Sequence, residues 1–590
     1  MGCTFTRKLH TDQLPFTSSE LFSPNICHKR LYNSVPTWDN PVSNCCTDIL
    51  PTSLTMVRIS HLLLALAAVS NAAPSSSSRQ TCRQVQYNFH RGTNKHDPRA
   101  EDIKQAYARE WHEYFKFAFP NDELLPLSHN YTNDLFGWGA SVVDGIDTAI
   151  IMGLTDIVEQ QLKHIASVDF AKSTDIVNFF DVNIRYLGGL LSAYDLIKSG
   201  HFPNPYDDDL VEALLSQAKS LATAISPVFD TATGLPASTM NFSTGEIMKS
   251  TMTVNGTKYN STNTAQAGTM ILEYYRLSDL TGDESFRQHA RKAENYLINP
   301  KPSPAFPGLI GTELDTETGK LITLDGGWQA GVDSFIEYLI KTYIYDPADD
   351  MVEQLLDFWL LTVESSKKNI ALSPYHHPEL TFLSQLDQNG TIMSSMDDYA
   401  CFAGGNLLLG GAYLDRPDIL ELGVKVTDSC HWLYNTTVTG LGPSTIAWYN
   451  EHNEAYDNSY NTNSTTRSYA AKYGYFIEDP SYRSYPEPIE SFWYAYRITG
   501  DTRWQDYNWE IFQALNTTRS KSVPYAEISD VNAPFGGELV NYVSSFYFAE
   551  VLKYLYLTFA EPDVVSLDDF VFNTECHPFL KKTPCKGYNT

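Results

Sequence analysis

Pro486-Glu-Pro-Ile-Glu-Ser-Phe-Trp-Tyr-Ala-Tyr-Arg-Ile-Thr-Gly-Asp501 reads as one amphipathic helix followed by its stop and the start signal of the next. Apolar and aromatic residues recur at helical spacing. Gly500 can close the helix in a left-handed conformation, and Asp501 can cap a second helix from Trp504 to about Leu515. The same punctuation ends Ile271-Leu-Glu-Tyr-Tyr-Arg-Leu-Ser-Asp-Leu-Thr-Gly-Asp283, ahead of a helix beginning near Glu284. Further helical patterns cover residues 99–119, closed by Pro120, and residues 188–196, where the pair Gly188-Gly189 allows close packing. Asp333–Tyr345 and residues 545–559 complete the set. Helix pairs recurring along one chain predict an all-α architecture, either a solenoid or, if its ends meet, an α/α barrel. Residues 251–264 and 459–468 read as polar loops, and no internal domain boundary is visible between residue 85 and about residue 565.

The 590 residues are 43% hydrophobic and 13% aromatic. That aromatic richness serves a large core first, and it also suits sugars, whose apolar faces stack on rings. Lys plus Arg number 42 against 70 Asp plus Glu, a formal net charge of −28. Such a chain repels phosphate backbones and anionic lipid heads, which argues against nucleic-acid binding. An acidic surface promotes solubility, and it is compatible with neutral substrates and a bound cation.

Residues 1–55 lack periodicity and read as an N-terminal extension, unstructured or wrongly assigned to the gene. Residues 56–72 then have the layout of a secretory signal: Arg58, a short apolar run, and small residues at Ser70 and Ala72. The run is too short for a stable membrane span, which needs about 20 residues. Residues 73–84 form a linker, residues 85–578 a single domain and residues 579–590 a tail. Eight N-x-S/T sequons follow the signal, at Asn130, Asn241, Asn255, Asn260, Asn389, Asn435, Asn463 and Asn516. They agree with passage through the secretory pathway, ending in secretion or in the ER or Golgi lumen. Of the downstream cysteines, Cys401 with Cys430 and Cys576 with Cys585 are the expected pairs, leaving Cys82 over. No Cys/His spacing suggests zinc.

Four acidic clusters beside aromatics stand out: Asp144-Gly-Ile-Asp147-Thr148, Phe180-Asp181-Val-Asn-Ile-Arg185, Asp333-Ser-Phe-Ile-Glu337 and Pro486-Glu487-Pro-Ile-Glu490. Asp333 and Glu337 share a helix face, as do Glu487 and Glu490. Any one cluster is most simply a set of acids complementing a helix dipole. Together they offer the paired carboxyls that glycoside cleavage needs, one to protonate the leaving oxygen and one to activate water or attack the sugar.

These residues carry a resemblance to glycoside hydrolase family 47, the class I α-1,2-mannosidases. It spans about residues 99–578 and rests on Asp122-Glu-Leu-Leu-Pro126, Asp144-Gly-Ile-Asp-Thr148 with Gly153-Leu154, Ile184-Arg-Tyr-Leu-Gly-Gly-Leu-Leu-Ser-Ala-Tyr194 and Asp333-Ser-Phe-Ile-Glu-Tyr-Leu339. Thr439-Gly-Leu-Gly-Pro443, Pro486-Glu-Pro-Ile-Glu-Ser491 and Asn573-Thr-Glu-Cys-His-Pro578 extend it. The resemblance implies an (α/α)7 barrel that binds one Ca²⁺ and trims terminal α-1,2-linked mannose from N-glycans with inversion. It implies a mannose-containing oligosaccharide or glycoprotein glycan as partner, and a monomer. By the same resemblance Asp181, Asp333 and Glu487 are the catalytic acids, and Arg185, Glu337, Glu490, Glu550 and Glu575 bind substrate. Thr574 ligates the calcium through oxygen, as a hard cation requires, and Cys401 and Cys430 form the family disulfide. In an inverting enzyme Asp181 or Asp333 would protonate the leaving group and Glu487 would activate water, with the acids about 6.5–9.5 Å apart.

The chain also departs from the family pattern. Asp181 stands where Glu is usual, withdrawing the carboxyl by about an ångström, a displacement that can cost about a hundredfold in rate. Gln266, Asp398, Ser444, Tyr485 and Ser544 stand where Glu, His, Glu, Arg and Glu are expected. Tyr485 removes a bidentate donor beside Glu487. Two further outcomes therefore stand beside an active mannosidase: a glycan-binding protein without turnover, and a hydrolase of another α-linkage.

Overall fold

Gly282 and Gly500 adopt left-handed conformations, φ 70° and 71°, each donating its N–H to the carbonyl four residues back. The side chains of Asp283 and Asp501 accept the N–H groups of Ser285 and Arg503. Both predicted stop-and-start signals thus work as local chemistry dictates. The computed structural model describes residues 82–89, 97–173, 175–449, 464–518 and 524–587. The predicted extension, signal segment and most of the linker lie outside the described residues, as does Asn463.

Among the described residues, fourteen helices form the hairpins of the body. In chain order they are α1 (Pro98–Phe117), α2 (Ile146–Ile151), α3 (Thr155–Ser167), α4 (Gly188–Lys198), α5 (Asp208–Ile225), α6 (Ile271–Thr281) and α7 (Glu284–Leu297). They continue as α8 (Asp333–Tyr345), α9 (Val352–Ser365), α10 (Phe402–Tyr413), α11 (Pro417–Asn435), α12 (Glu487–Thr499), α13 (Arg503–Thr518) and α14 (Leu552–Phe559). The helices α2, α4, α6, α8, α10, α12 and α14 pack side by side in sequence order, and the segment leading into α14 returns to α2, closing a ring. The remaining seven lie outside it, each against its hairpin neighbour, with α1 packed on α14. This is the (α/α)7 barrel.

Inner helices must be apolar on nearly every face because they are covered on both sides. In α8 all residues from Ser334 to Thr342 are buried, and in α10 Phe402 to Gly411 are. Gly423 of α11 is required for contact with α10: a Cβ there would lie 2.9 Å from the Leu408 nitrogen.

Three sequence expectations need correction. Residues 251–264 form an antiparallel hairpin, β1 (Thr251–Val254) and β2 (Thr257–Asn263), not a loop. Asn255 and Gly256 both take positive φ in the two-residue turn, the geometry Asn-Gly favours. The alternation is confined to Thr251-Met-Thr-Val254, and the longer partner strand is mostly polar, so the pattern is too short to outweigh the polar composition. Within residues 459–468, the described part from Ser464 onward is helical rather than loop. Finally, Cys585 bonds to Cys82, and Cys576 is a free buried thiol. The Asp568 carboxylate accepts the N–H groups of Val85 and Gln86 and draws the N-terminal segment toward the C-terminal one. Cys576, at φ 62°, is locked into a tight turn whose carbonyl accepts from Lys553. The Cys401–Cys430 bond is present and joins α10 to α11.

Candidate active site

The turn from Asn573 to His577 is tied to inner helices around the ring. The Asn573 amide donates to Glu273 of α6 at 2.9 Å, and the Thr574 N–H meets the Tyr338 hydroxyl of α8 at 3.2 Å. Lys553 of α14 donates to the Cys576 carbonyl at 2.7 Å, and His577 meets Asp147 of α2 at 2.8 Å. A turn bonded to α2, α6, α8 and α14 lies across the barrel axis and floors its cup. Among the described residues, neither the hydroxyl nor the carbonyl oxygen of Thr574 has a hydrogen-bond partner.

Around this floor the inner helices present their acids. Asp181 and Arg185 sit four apart, Arg185 on a π-helical turn (Val182–Leu187) leading into α4. Arg185 donates to Asp181 at 3.2 Å, contacts Glu575 at 2.7 Å and reaches Asp144 at 3.4 Å. Glu550 lies on a second π-helical turn (Tyr547–Val551), ahead of α14. Such turns recur at functional sites because they turn a side chain out of the regular ladder. Lys341 of α8 pairs with Glu337 one turn away and with Glu490 of α12 at 3.4 Å. Asp333 and Glu487 begin α8 and α12 and lie close enough for Asp333 to raise the proton affinity of Glu487. Asp181, Arg185, Asp333, Glu487 and Thr574 keep partial solvent access, whereas Glu337, Glu490, Glu550 and Glu575 are sealed beneath them.

The electrostatics follow from many carboxyls in one deep cup. Burial, then repulsion from Asp398, Glu490 and Asp333, holds the Glu487 carboxyl well above the usual carboxylate range. Burial does the same to Glu550, with Glu575, Glu487 and Glu490 adding to it. Asp333 is pushed up to about 7 by burial, against the opposing Ser334 N–H and with repulsion from Asp397 and Glu337. Unfolded, it ionises near its ordinary value of about 3.9. Between about pH 4 and pH 7 the unfolded chain therefore loses a proton that the fold retains, and this group's contribution to stability falls as pH rises. Asp333→Asn, neutral throughout, is expected to be more stable than the wild type at pH 7 and nearly equal at pH 4. Chemical denaturation at both pH values checks this, and an equal difference at the two would contradict the assignment.

The oxygens of Thr574 and the surplus of buried acids over their cations, Arg185 and Lys341, fit a hard dication at the floor. Among the described residues no cluster of three or more His, Cys, Asp or Glu side chains could hold a metal. The donor set therefore fits binding through Thr574 oxygens and water rather than a side-chain cage. Open acceptors also remain: Glu487 Oε2, Glu575 Oε2, Asp398 Oδ1 and Gln266 Oε1 are buried without partners among the described residues.

Two of the departing residues partner one another. Tyr485 donates its hydroxyl to Ser444 Oγ at 2.9 Å, and Ser444 donates to the Ser481 carbonyl at 2.7 Å. Where the family resemblance places Arg and Glu, a neutral bond thus joins the same two positions. Asp398 accepts from Tyr434 at 2.9 Å. Sequence reasoning missed Lys341, Lys553 and His577 as supports. The first two stand four residues after Glu337 and three after Glu550, spacings that place them on the acids' own helix faces.

A toroid of helical hairpins whose axial cup is lined with carboxyls meets the need of a glycoside hydrolase for paired acids. The family model for glycosyl hydrolase family 47 matches residues 106–581, and the chain belongs to that family. It is 41% identical over 495 residues to a probable mannosyl-oligosaccharide alpha-1,2-mannosidase 1B of Aspergillus clavatus, covering 81% of this chain and 92% of the relative. A mannosyl-oligosaccharide alpha-1,2-mannosidase of Penicillium citrinum is 40% identical over 489 residues, covering 81% and 91%. The solved structure of an alpha-1,2-mannosidase from Trichoderma reesei superposes with a TM-score of 0.75 at 38% identity, covering 82% of this chain and 99% of that one.

Proposed function

We propose that the protein is a calcium-dependent, inverting α-mannosidase that removes terminal α-1,2-linked mannose from N-glycan-type oligosaccharides. The observation that carries this reading is the set of partly accessible acids, Asp181, Asp333 and Glu487, around one floor that presents the Thr574 oxygens. The names of the relatives support the linkage. The Asn side chains of the seven described sequons are exposed or half-buried, which supports passage through the secretory pathway, and no described helix is long and apolar enough to cross a membrane.

In this mechanism Asp333, kept protonated toward neutral pH, gives its proton to the glycosidic oxygen as the bond from that oxygen to C1 breaks. Glu487, whose raised proton affinity makes its ionised form a strong base, takes in that form a proton from a water that attacks C1 from the opposite face, and the configuration inverts. Asp181, held by Arg185, orients the leaving sugar or relays its proton. Arg185, Glu337, Glu490, Glu550 and Glu575 hold sugar hydroxyls and the charge around them. Thr574 would hold the Ca²⁺, which supplies positive charge and oxygen coordination for sugar hydroxyls.

Release of mannose from α-1,2-mannobiose, with the product anomer read by NMR, tests the reading; α-mannose as first product, or no release at all, would sink it. The substitutions at Asp181, Gln266, Asp398, Ser444, Tyr485 and Ser544 favour one second reading, a glycan-binding protein without turnover. Calcium-dependent binding without release identifies it. Calcium is expected to stabilise the fold by about 2.7 kcal/mol at one hundred times its dissociation constant. EGTA should lower the melting temperature by a few degrees, and Thr574→Ala should abolish that response. An EGTA shift of equal size in both proteins would remove Thr574 as the ligand.

A further inference from the structure

Tyr399 occupies the seam between the two helix starts that carry Asp333 and Glu487. It lies on a short helical turn (Asp398–Cys401) between the strand Ser395–Asp397 and α10. Three bonds place that turn. Asp397 accepts the N–H of Ala330 at 3.1 Å, three residues ahead of Asp333. The Ser491 hydroxyl, one turn beyond Glu487, donates to the Cys401 carbonyl at 2.6 Å and accepts the N–H of Gly405 at 2.8 Å. The Cys401–Cys430 bond holds the turn from outside. Among residues fixed so tightly, Tyr399 is 40% exposed. Its ring meets Tyr485 edge to face, centroids 5.2 Å apart at 80°. Its hydroxyl has no hydrogen-bond partner among the described residues. Partial desolvation within the cup, then the proximity of Tyr485, Glu487, Asp397 and Asp333, holds the phenol above its ordinary range, so it remains a donor at any working pH.

An exposed ring held rigidly beside open acceptors on Glu487 and Asp398 presents apolar area and a hydroxyl that a ligand can take over from solvent. Tyr485, by contrast, spends its hydroxyl on Ser444. We propose that Tyr399 is a substrate-contacting residue, its ring packing on the apolar face of a bound hexose and its hydroxyl donating to a sugar oxygen between Asp333 and Glu487. It takes up contact area where the Tyr485–Ser444 pair is uncharged. The sequence hides this role because Tyr399 carries no acid and follows Asp398 without a recognisable spacing. The inference rests on the proposed sugar site, but binding alone tests it.

Titration calorimetry with methyl α-D-mannoside and with α-1,2-mannobiose, in calcium, compares wild type, Tyr399→Phe and Tyr399→Ala. Loss of the hydroxyl in the Phe variant is expected to weaken binding about threefold to tenfold, the range of one net hydrogen bond. The Ala variant loses the ring as well and should weaken tenfold or more. Circular dichroism and thiol titration confirm that each variant is folded with Cys401–Cys430 intact. An Ala variant within twofold of wild type for both sugars overturns the proposal, and a Phe variant within twofold overturns the hydroxyl contact. Wild-type binding without mannose release sinks the hydrolase reading while leaving this test in force. A wild type that binds neither sugar overturns both.

Discussion

Glu487→Gln is expected to lower the rate of mannose release by about 10²–10⁴-fold, the usual worth of a positioned general base, while sugar binding changes only a few-fold. Glutamine keeps the shape and one acceptor oxygen of the side chain but cannot take a proton from water. Glu487 stands at the first residue of α12, its Oε2 is buried without a partner, and its acid neighbours are Asp398, Glu490 and Asp333. An acid that served only to complement the helix dipole would be worth about 0.3–1 kcal/mol and would leave turnover nearly intact. The check is kcat and the dissociation constant measured on the same preparation. A variant that retains turnover within about threefold removes Glu487 from the chemistry.

Arg185→Met is expected to destabilise the protein by about 3–5 kcal/mol, the cost of removing one partner from a buried ionic cluster. Arg185 contacts Asp181, Asp144 and Glu575, all within 3.4 Å, and of these Asp144 also meets His577 at 3.1 Å. Without it these carboxyls face one another near the floor of the cup, and the turn carrying Thr574 loses the charge that anchors Glu575. Loss of glycan binding should accompany the loss of stability. Arg185→Lys should recover only part of both, because a point charge cannot serve three carboxyls at once as a planar guanidinium does. Denaturant melts of the two variants check the order, and a Lys variant equal to wild type would show that charge alone suffices.

What the sequence determined by itself was local. Thr-Gly-Asp at 281–283 and 499–501 ends one helix and starts the next through bonds spanning a few residues, and α8 begins and ends as its apolar spacing predicts. Helical periodicity placed Asp333 with Glu337 and Glu487 with Glu490 on shared faces, because such pairs lie within one turn of backbone. Motif resemblance supplied the ring of seven hairpins and the candidate acids, since those matches keep an acid at each candidate position even where, as at Asp181, its length changes.

Only the tertiary structure decided what depends on residues far apart in the chain. Cys82 bonds to Cys585 across 503 residues, and no spacing rule could prefer it to the nearer Cys576. The neutral Tyr485–Ser444 bond, the three carboxyls around Arg185 and the seat of Tyr399 between two helix starts arise when inner helices pack around one axis. Burial there also sets the charge of Asp333 and Glu487, because desolvation is a property of the assembled cup and not of any segment.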